Sequence, residues 1–283
     1  MIAQHEDHSI LTGTSIDWRV VSADEVADHP TMLADLFARS PDGITLTGVF
    51  SPDDVAAALE RFERTESDRM VFPNGTLMGR PIAYVGPEED YRGAYLEDAA
   101  RWRGIFAEGF GYDPHERIAS LLAPMGTYDS YIGPFERGLP YNPGHVRYWE
   151  PGQGGLPAHI GNEFAEAQKD HSMRHLLATT HVADHLSYFV VLQRPEVGGA
   201  LSVYDVVREV FLADEPWGDG HRDDSWIDAF PSIKVDPAVG DLVLFGGGWR
   251  WHRVDPVEGP TPRISYGGFC GPAREGNALH FWC

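Results

Sequence analysis

Apolar and polar positions follow two different rhythms along this chain. In the first half the spacing is helical. Ser51-Pro52-Asp53-Asp54 reads as a helix start, with a serine cap, a proline in the first turn and acids near the positive end. The run Val55 to Arg64 then puts Val55, Leu59 and Phe62 on one side, as a helix packed on a sheet requires. Tyr95 to Phe110 reads as a second helix and His115 to Leu122 as a shorter one. After the glycine- and proline-rich segment 138–144 the rhythm changes. Short strand-like runs now alternate with Gly/Pro turns, the pattern of a β sandwich or barrel. They are His145–Trp149, His185–Gln193, Ala200–Tyr204, Asp241–Phe245, Ile264–Cys270 and Leu279–Trp282. The pattern predicts a β-rich α+β chain with a loose polar tail over 1–15 and one domain over 16–283. Its helical N-terminal cover lies mainly over 16–144 and its β core mainly over 145–283. The acidic segment Glu209–Pro231, with Trp217, Trp226 and Phe230, interrupts the strands and reads either as a substrate lid or as a surface excursion.

Composition changes this picture little. With 42% hydrophobic and 12% aromatic residues, 283 residues can bury a sizeable core. No apolar run reaches the roughly 18 residues of a membrane span, and Met1 to His8 lacks the basic-then-apolar pattern of an export signal. Two cysteines, Cys270 and Cys283, make neither a disulfide framework nor a zinc site, so a cytoplasmic location is expected. A net charge of −21 argues against binding a nucleic-acid polymer, because phosphate repulsion would dominate. It leaves room for a small anion in a locally basic pocket.

The segment Ala158-His159-Ile160-Gly161-Asn162-Glu163-Phe164 carries the sharpest chemistry. Many iron enzymes hold Fe(II) on one face with two histidines and one carboxylate. Here a histidine stands two residues before a glycine, at the place where that carboxylate would be. Metal held at His159 would keep one more open position, which an anion such as chloride can fill. The rest of such a site follows downstream. The run 239–245 is a turn and short apolar strand, Gly246-Gly247-Gly248 is another turn, and His252 follows, with Arg263 eleven residues later. A histidine on one strand and an arginine on the next suit a metal and a dicarboxylate cosubstrate, since guanidinium offers a two-pronged grip that lysine cannot. Plainer readings exist for each part. Thirteen histidines make one His-x-Gly triplet expected by chance, Arg263 could sit in a surface ion pair, and Glu163 is an alternative carboxylate. The ordered recurrence of all three parts favours the metal.

These stretches, with Ile44 to Phe50, Leu186-Ser187-Tyr188-Phe189, the segment 195–201 and Gly267-Gly268-Phe269 to the C-terminus, resemble the stand-alone Fe(II)/2-oxoglutarate-dependent aliphatic halogenases. That group chlorinates free small molecules such as hapalindole-type indole alkaloids and adenine nucleotides. The resemblance runs from about Ile16 to Cys283. It implies a double-stranded β-helix (a jelly roll, cupin-like) and a need for Fe(II), 2-oxoglutarate, chloride and O2. It also implies a free small-molecule substrate, with no carrier protein and no membrane. His159 and His252 would bind the metal and Gly161 would leave the chloride position open. Arg263 would hold 2-oxoglutarate, Arg147 would be a second contact to 2-oxoglutarate or chloride, and the Ser187 hydroxyl would stand near the iron. Because ligating imidazoles must be neutral, activity is expected to fall as pH drops through the histidine range.

For the substrate, the most basic short stretch is Lys169-Asp170-His171-Ser172-Met173-Arg174-His175. Read as a phosphate grip through Lys169, Arg174 and His175, it favours an adenine deoxynucleotide such as dAMP over an indole alkaloid. Read as a solvated helix face, it favours neither. A 2-oxoglutarate-dependent hydroxylase and a non-catalytic jelly-roll binding protein are the remaining readings.

Overall fold

The computed structural model describes residues 15–65, 69–72, 75–86, 89–161, 163, 169–210 and 223–283. Most of the expected tail, residues 211–222 of the acidic segment, and Asn162 and Phe164 lie outside the described residues. The first half carries β1 (Trp18–Ser22), α1 (Met32–Phe37), β2 (Gly43–Thr47), α2 (Pro52–Glu63), β3 (Met70–Phe72) and β4 (Gly75–Met78). Helices α3 (Asp98–Phe110) and α4 (Pro114–Leu122) follow, then β5 (Ser130–Ile132), β6 (Phe135–Glu136) and β7 (Leu139–Pro140). The second half opens with β8 (His145–Trp149), β9 (Leu156–His159), α5 (Arg174–Thr179), β10 (Leu186–Gln193) and β11 (Val197–Gly198). It continues through β12 (Leu201–Val207), β13 (Ser232–Val235), β14 (Leu242–Phe245) and β15 (Arg250–Val254). β16 (Val257–Glu258), β17 (Arg263–Pro272) and β18 (Ala278–Trp282) complete it.

Two sheets form the body. The large one runs β1-β2-β14-β10-β17-β8-β4-β3, with β18 and β5 joined beside β17; the small one runs β13-β12-β15-β9. The chain passes repeatedly from one sheet to the other, as β8 to β9, β10 to β12 and β14 to β15. This is the double-stranded β-helix. Alternation decides which residues meet in its interior. On β17, Arg263, Ser265 and Gly267 pair with Trp149, Arg147 and His145 of β8.

The helices follow the sequence closely. Ser51 accepts from Asp54 N at 3.1 Å at the start of α2, and Val55, Ala58 and Phe62 are buried in the main core. α3 begins at Asp98 after a looser π-type turn over Arg92–Glu97. The cover is less purely helical than expected, because β1 to β4 extend both ends of the large sheet. β2 shows why these strands escape a periodicity reading. Ile44, Thr45 and Leu46 are all buried, so no polar face alternates.

Candidate active site

The two histidines singled out by spacing lie directly opposite each other, His159 of β9 paired with His252 of β15. Their ring centroids are 4.2 Å apart, and both rings are buried. Each ring is fixed in the same way. Nδ1 of His159 bonds the Pro157 carbonyl at 2.9 Å, and Nδ1 of His252 bonds the Arg250 carbonyl at 2.9 Å. Carbonyls only accept, so Nδ1 carries the proton and Nε2 is the lone pair each ring has to offer a metal. Arg250 is itself clamped, by Asp42 at 2.7 Å and Asp205 at 3.2 Å, both on its guanidinium. Burial pushes the pKa of His252 down to about 4, with nearby His185 adding to the effect. The ring is therefore neutral, as ligation needs.

No group of three or more His, Cys, Asp or Glu side chains placed to hold a metal occurs among the described residues. Glu163 turns its carboxylate back toward the Ile160 N–H at 3.4 Å and lines neither cavity. Gly161 donates its N–H to the Gly247 carbonyl at 2.8 Å, so the loop after β9 is tied to the glycine turn between β14 and β15. The donor set is two imidazoles, each with Nδ1 held by a backbone carbonyl, which fits a divalent transition metal that takes its other ligands from small molecules.

Beside the histidines lies a cavity of about 120 Å³. Arg263 is buried on its wall with its guanidinium over the Phe189 ring at 4.9 Å, and Nη1 reaches only the Ser265 hydroxyl at 3.3 Å. Arg147 lies on the same face, over the Trp149 ring at 5.0 Å, and its Nε has no hydrogen-bond partner among the described residues. Neither arginine forms an ion pair with a carboxylate among those residues. Burial, reinforced by Arg147 and opposed by Asp236, brings Arg263 from 12.5 down to about 10. It remains charged at neutral pH. Two uncompensated guanidiniums in one wall are costly unless an anion joins them, and their spacing along one face suits a dicarboxylate. The hydroxyl of Ser187 lines the same cavity and has no partner among the described residues.

A second cavity, about 70 Å³, adjoins the first through His145, Arg147 and His159. Its wall includes Gly161 and His185, and several of its other lining residues are apolar: Ile82, Met173, Val182, Phe269 and Trp282. Lys169, Arg174 and His175 line neither cavity. Lys169 and Arg174 are exposed, and His175 bonds the Phe135 carbonyl at 3.0 Å. Of the basic stretch, only Arg174 and His175 are helical, at the start of α5, and Met173 just before them is the residue that reaches the cavity wall. Sequence reading missed His145 and His185. His145 lines both cavities with its Nδ1 unpaired among the described residues, and its pKa is held low by burial and by Arg147.

Comparison with known proteins bears directly on this arrangement. A sequence profile described as carrier-protein-independent halogenase WelO5 matches residues 16–283. Among solved structures, an N-substituted L-amino acid dioxygenase from Burkholderia ambifaria AMMD is similar in fold. It is 14% identical, with 92% of this chain and 91% of that chain covered and a TM-score of 0.57. The structure of that dioxygenase in complex with alpha-KG aligns at 12% identity over 92% and 91%, with a TM-score of 0.54. At such identity the likeness establishes the fold and nothing finer. A search of curated proteins finds no match.

Proposed function

Because the chain belongs to the carrier-protein-independent halogenase family, we propose that it chlorinates an aliphatic carbon of a free small molecule, with His159 and His252 as the metal ligands. The observation that carries this reading is the register pair itself. Two buried imidazoles face each other, and the residue two positions after His159, where a third, carboxylate ligand would stand on this reading, is Gly161, which has no donor. Fe(II), 2-oxoglutarate and O2 would supply the power to break an unactivated C–H bond, and chloride the atom transferred. The protein's own contribution is to hold and exclude. His159 and His252 offer Nε2 lone pairs, Arg263 grips the far carboxylate of the cosubstrate, and Arg147 adds a second positive contact. Ser187 offers a hydroxyl beside the metal ligands. The buried walls keep bulk water from the reacting carbon.

The substrate enters from the second cavity on this reading. The apolar lining there supports a hydrophobic, alkaloid-like molecule over the adenine deoxynucleotide suggested by the basic stretch, because Lys169, Arg174 and His175 do not line it. The test is anaerobic reconstitution with Fe(II), 2-oxoglutarate and chloride, then air and a panel containing indole alkaloids and dAMP. Mass spectrometry should find a product with the paired chlorine isotope pattern from the apolar members. A hydroxylated product in its place would overturn the chlorination reading, and a chlorinated nucleotide would overturn the substrate preference.

A further inference from the structure

Gly161 adopts no left-handed backbone conformation, so chain geometry alone does not require glycine there. Space does. A Cβ built at position 161 would stand 2.5 Å from Nε2 and 2.8 Å from Cε1 of His185, well inside the roughly 3.5 Å at which such atoms attract. The imidazole cannot easily withdraw. Its Nδ1 is held by the Val182 carbonyl at 2.8 Å, and the ring packs edge-on to Phe269 at 4.9 Å and Trp282 at 6.0 Å. The His185 carbonyl also accepts from Gly248 N at 3.1 Å, which pins its backbone to the glycine turn. The loop carrying Gly161 is tied to the same turn through the Gly247 carbonyl. Nε2 has no hydrogen-bond partner among the described residues. This end of the ring is placed by shape, fitted into the hollow left by the missing side chain.

We propose that His185 is the specificity-determining partner of Gly161: its ring fills the path that a carboxylate side chain from position 161 would take toward the metal. The two residues together keep the third coordination position for a small exogenous anion. Changing Gly161 alone then cannot build a three-ligand site, since the new side chain meets the ring before it meets the metal. This rests on the reading of His159 and His252 as ligands, and two measurements separate the two ideas.

The first needs no metal. Thermal midpoints are compared for the native protein, Gly161→Ala, His185→Ala and the double variant. Gly161→Ala should lower the midpoint by roughly 3–8 °C in the native background, and by less than half as much once His185 is alanine. Strictly additive losses overturn the packing argument. The second is a titration with Co(II) alone, followed by its visible absorption, on the native protein, Gly161→Asp, Gly161→Asp/His185→Ala and His159→Ala. Gly161→Asp should bind within about threefold of the native protein, and the double variant at least about tenfold tighter than Gly161→Asp. Tight binding by Gly161→Asp alone, or no gain in the double variant, overturns the proposal. If His159→Ala binds Co(II) as well as the native protein does, the ligand assignment fails instead, and the thermal cycle still judges the packing.

Discussion

Arg263 is a buried cation with an aromatic face under it, a serine beside it and, among the described residues, no carboxylate in an ion pair with it. A two-pronged donor so placed gains its full value only from a planar carboxylate. Arg263→Lys keeps the charge and loses the fork, so 2-oxoglutarate affinity should fall on the order of tenfold or more, while metal affinity changes little. Calorimetric titration of 2-oxoglutarate into the metal-loaded protein checks this, and an unchanged dissociation constant would remove Arg263 from the site. At this scale much of the centre was legible. His159, His252 and Arg263 stand at spacings whose chemistry can be read from the chain. His145 and His185 were not, because a histidine at the edge of an apolar strand carries no mark of what will pack against it. The basic stretch left two readings open for the opposite reason: charge density along a sequence says nothing of whether the side chains turn toward a cavity, and in the fold Lys169 and Arg174 are exposed.

Among the elements, the turn after β14 organises the centre. The Gly247 carbonyl holds the Gly161 N–H, and a Cβ on Gly247 would stand 2.0 Å from the Ser187 hydroxyl. Gly247→Ala should therefore destabilise the fold by about 1–3 kcal/mol and weaken metal binding together, as measured by denaturant midpoint and Co(II) titration. Ser51→Ala at the cap of α2 is the contrast. It should cost about 1 kcal/mol through the lost bond to Asp54 N and leave metal affinity alone. Loss of metal binding in Ser51→Ala would mean that α2 is coupled to the centre. The α2 cap could be read directly, because capping is local chemistry. The pairing of β9 with β15 could not, because register between strands 93 residues apart (His252 minus His159) is fixed by how the sheets close. Strands buried on both faces, such as β2, also lack the alternation that would reveal them.

Across the whole molecule, neutral histidines are built into the interior. Burial holds His115, His185 and His252 at about 4 against an ordinary value of 6.5, and His145 well below it. Each therefore binds its proton in the unfolded chain before the folded one. Above pH 6.5 these groups contribute nothing to the pH dependence of folding. As pH falls below 6.5 the unfolded state takes up protons the native state refuses, and stability declines until the folded pKa values are reached near 4. Between pH 6.5 and about 5 most carboxylates are still charged, so the slope there belongs mainly to histidine, at up to about 1.4 kcal/mol per pH unit for each group. His115 offers a test away from the cavities, since its ring sits on Phe281 and bonds the Tyr131 carbonyl at 3.2 Å. Denaturant midpoints of the metal-free protein from pH 5 to 7 should fall toward acid, and His115→Gln should flatten that slope by up to one proton's worth. An unchanged slope would mean that His115 is protonated in the fold. The same burial revises the pH expectation drawn from the sequence. With His252 neutral down to about 4, its own ring should stay available to a metal through the ordinary histidine range, so a loss of activity near pH 6 would have to come from a group other than His252.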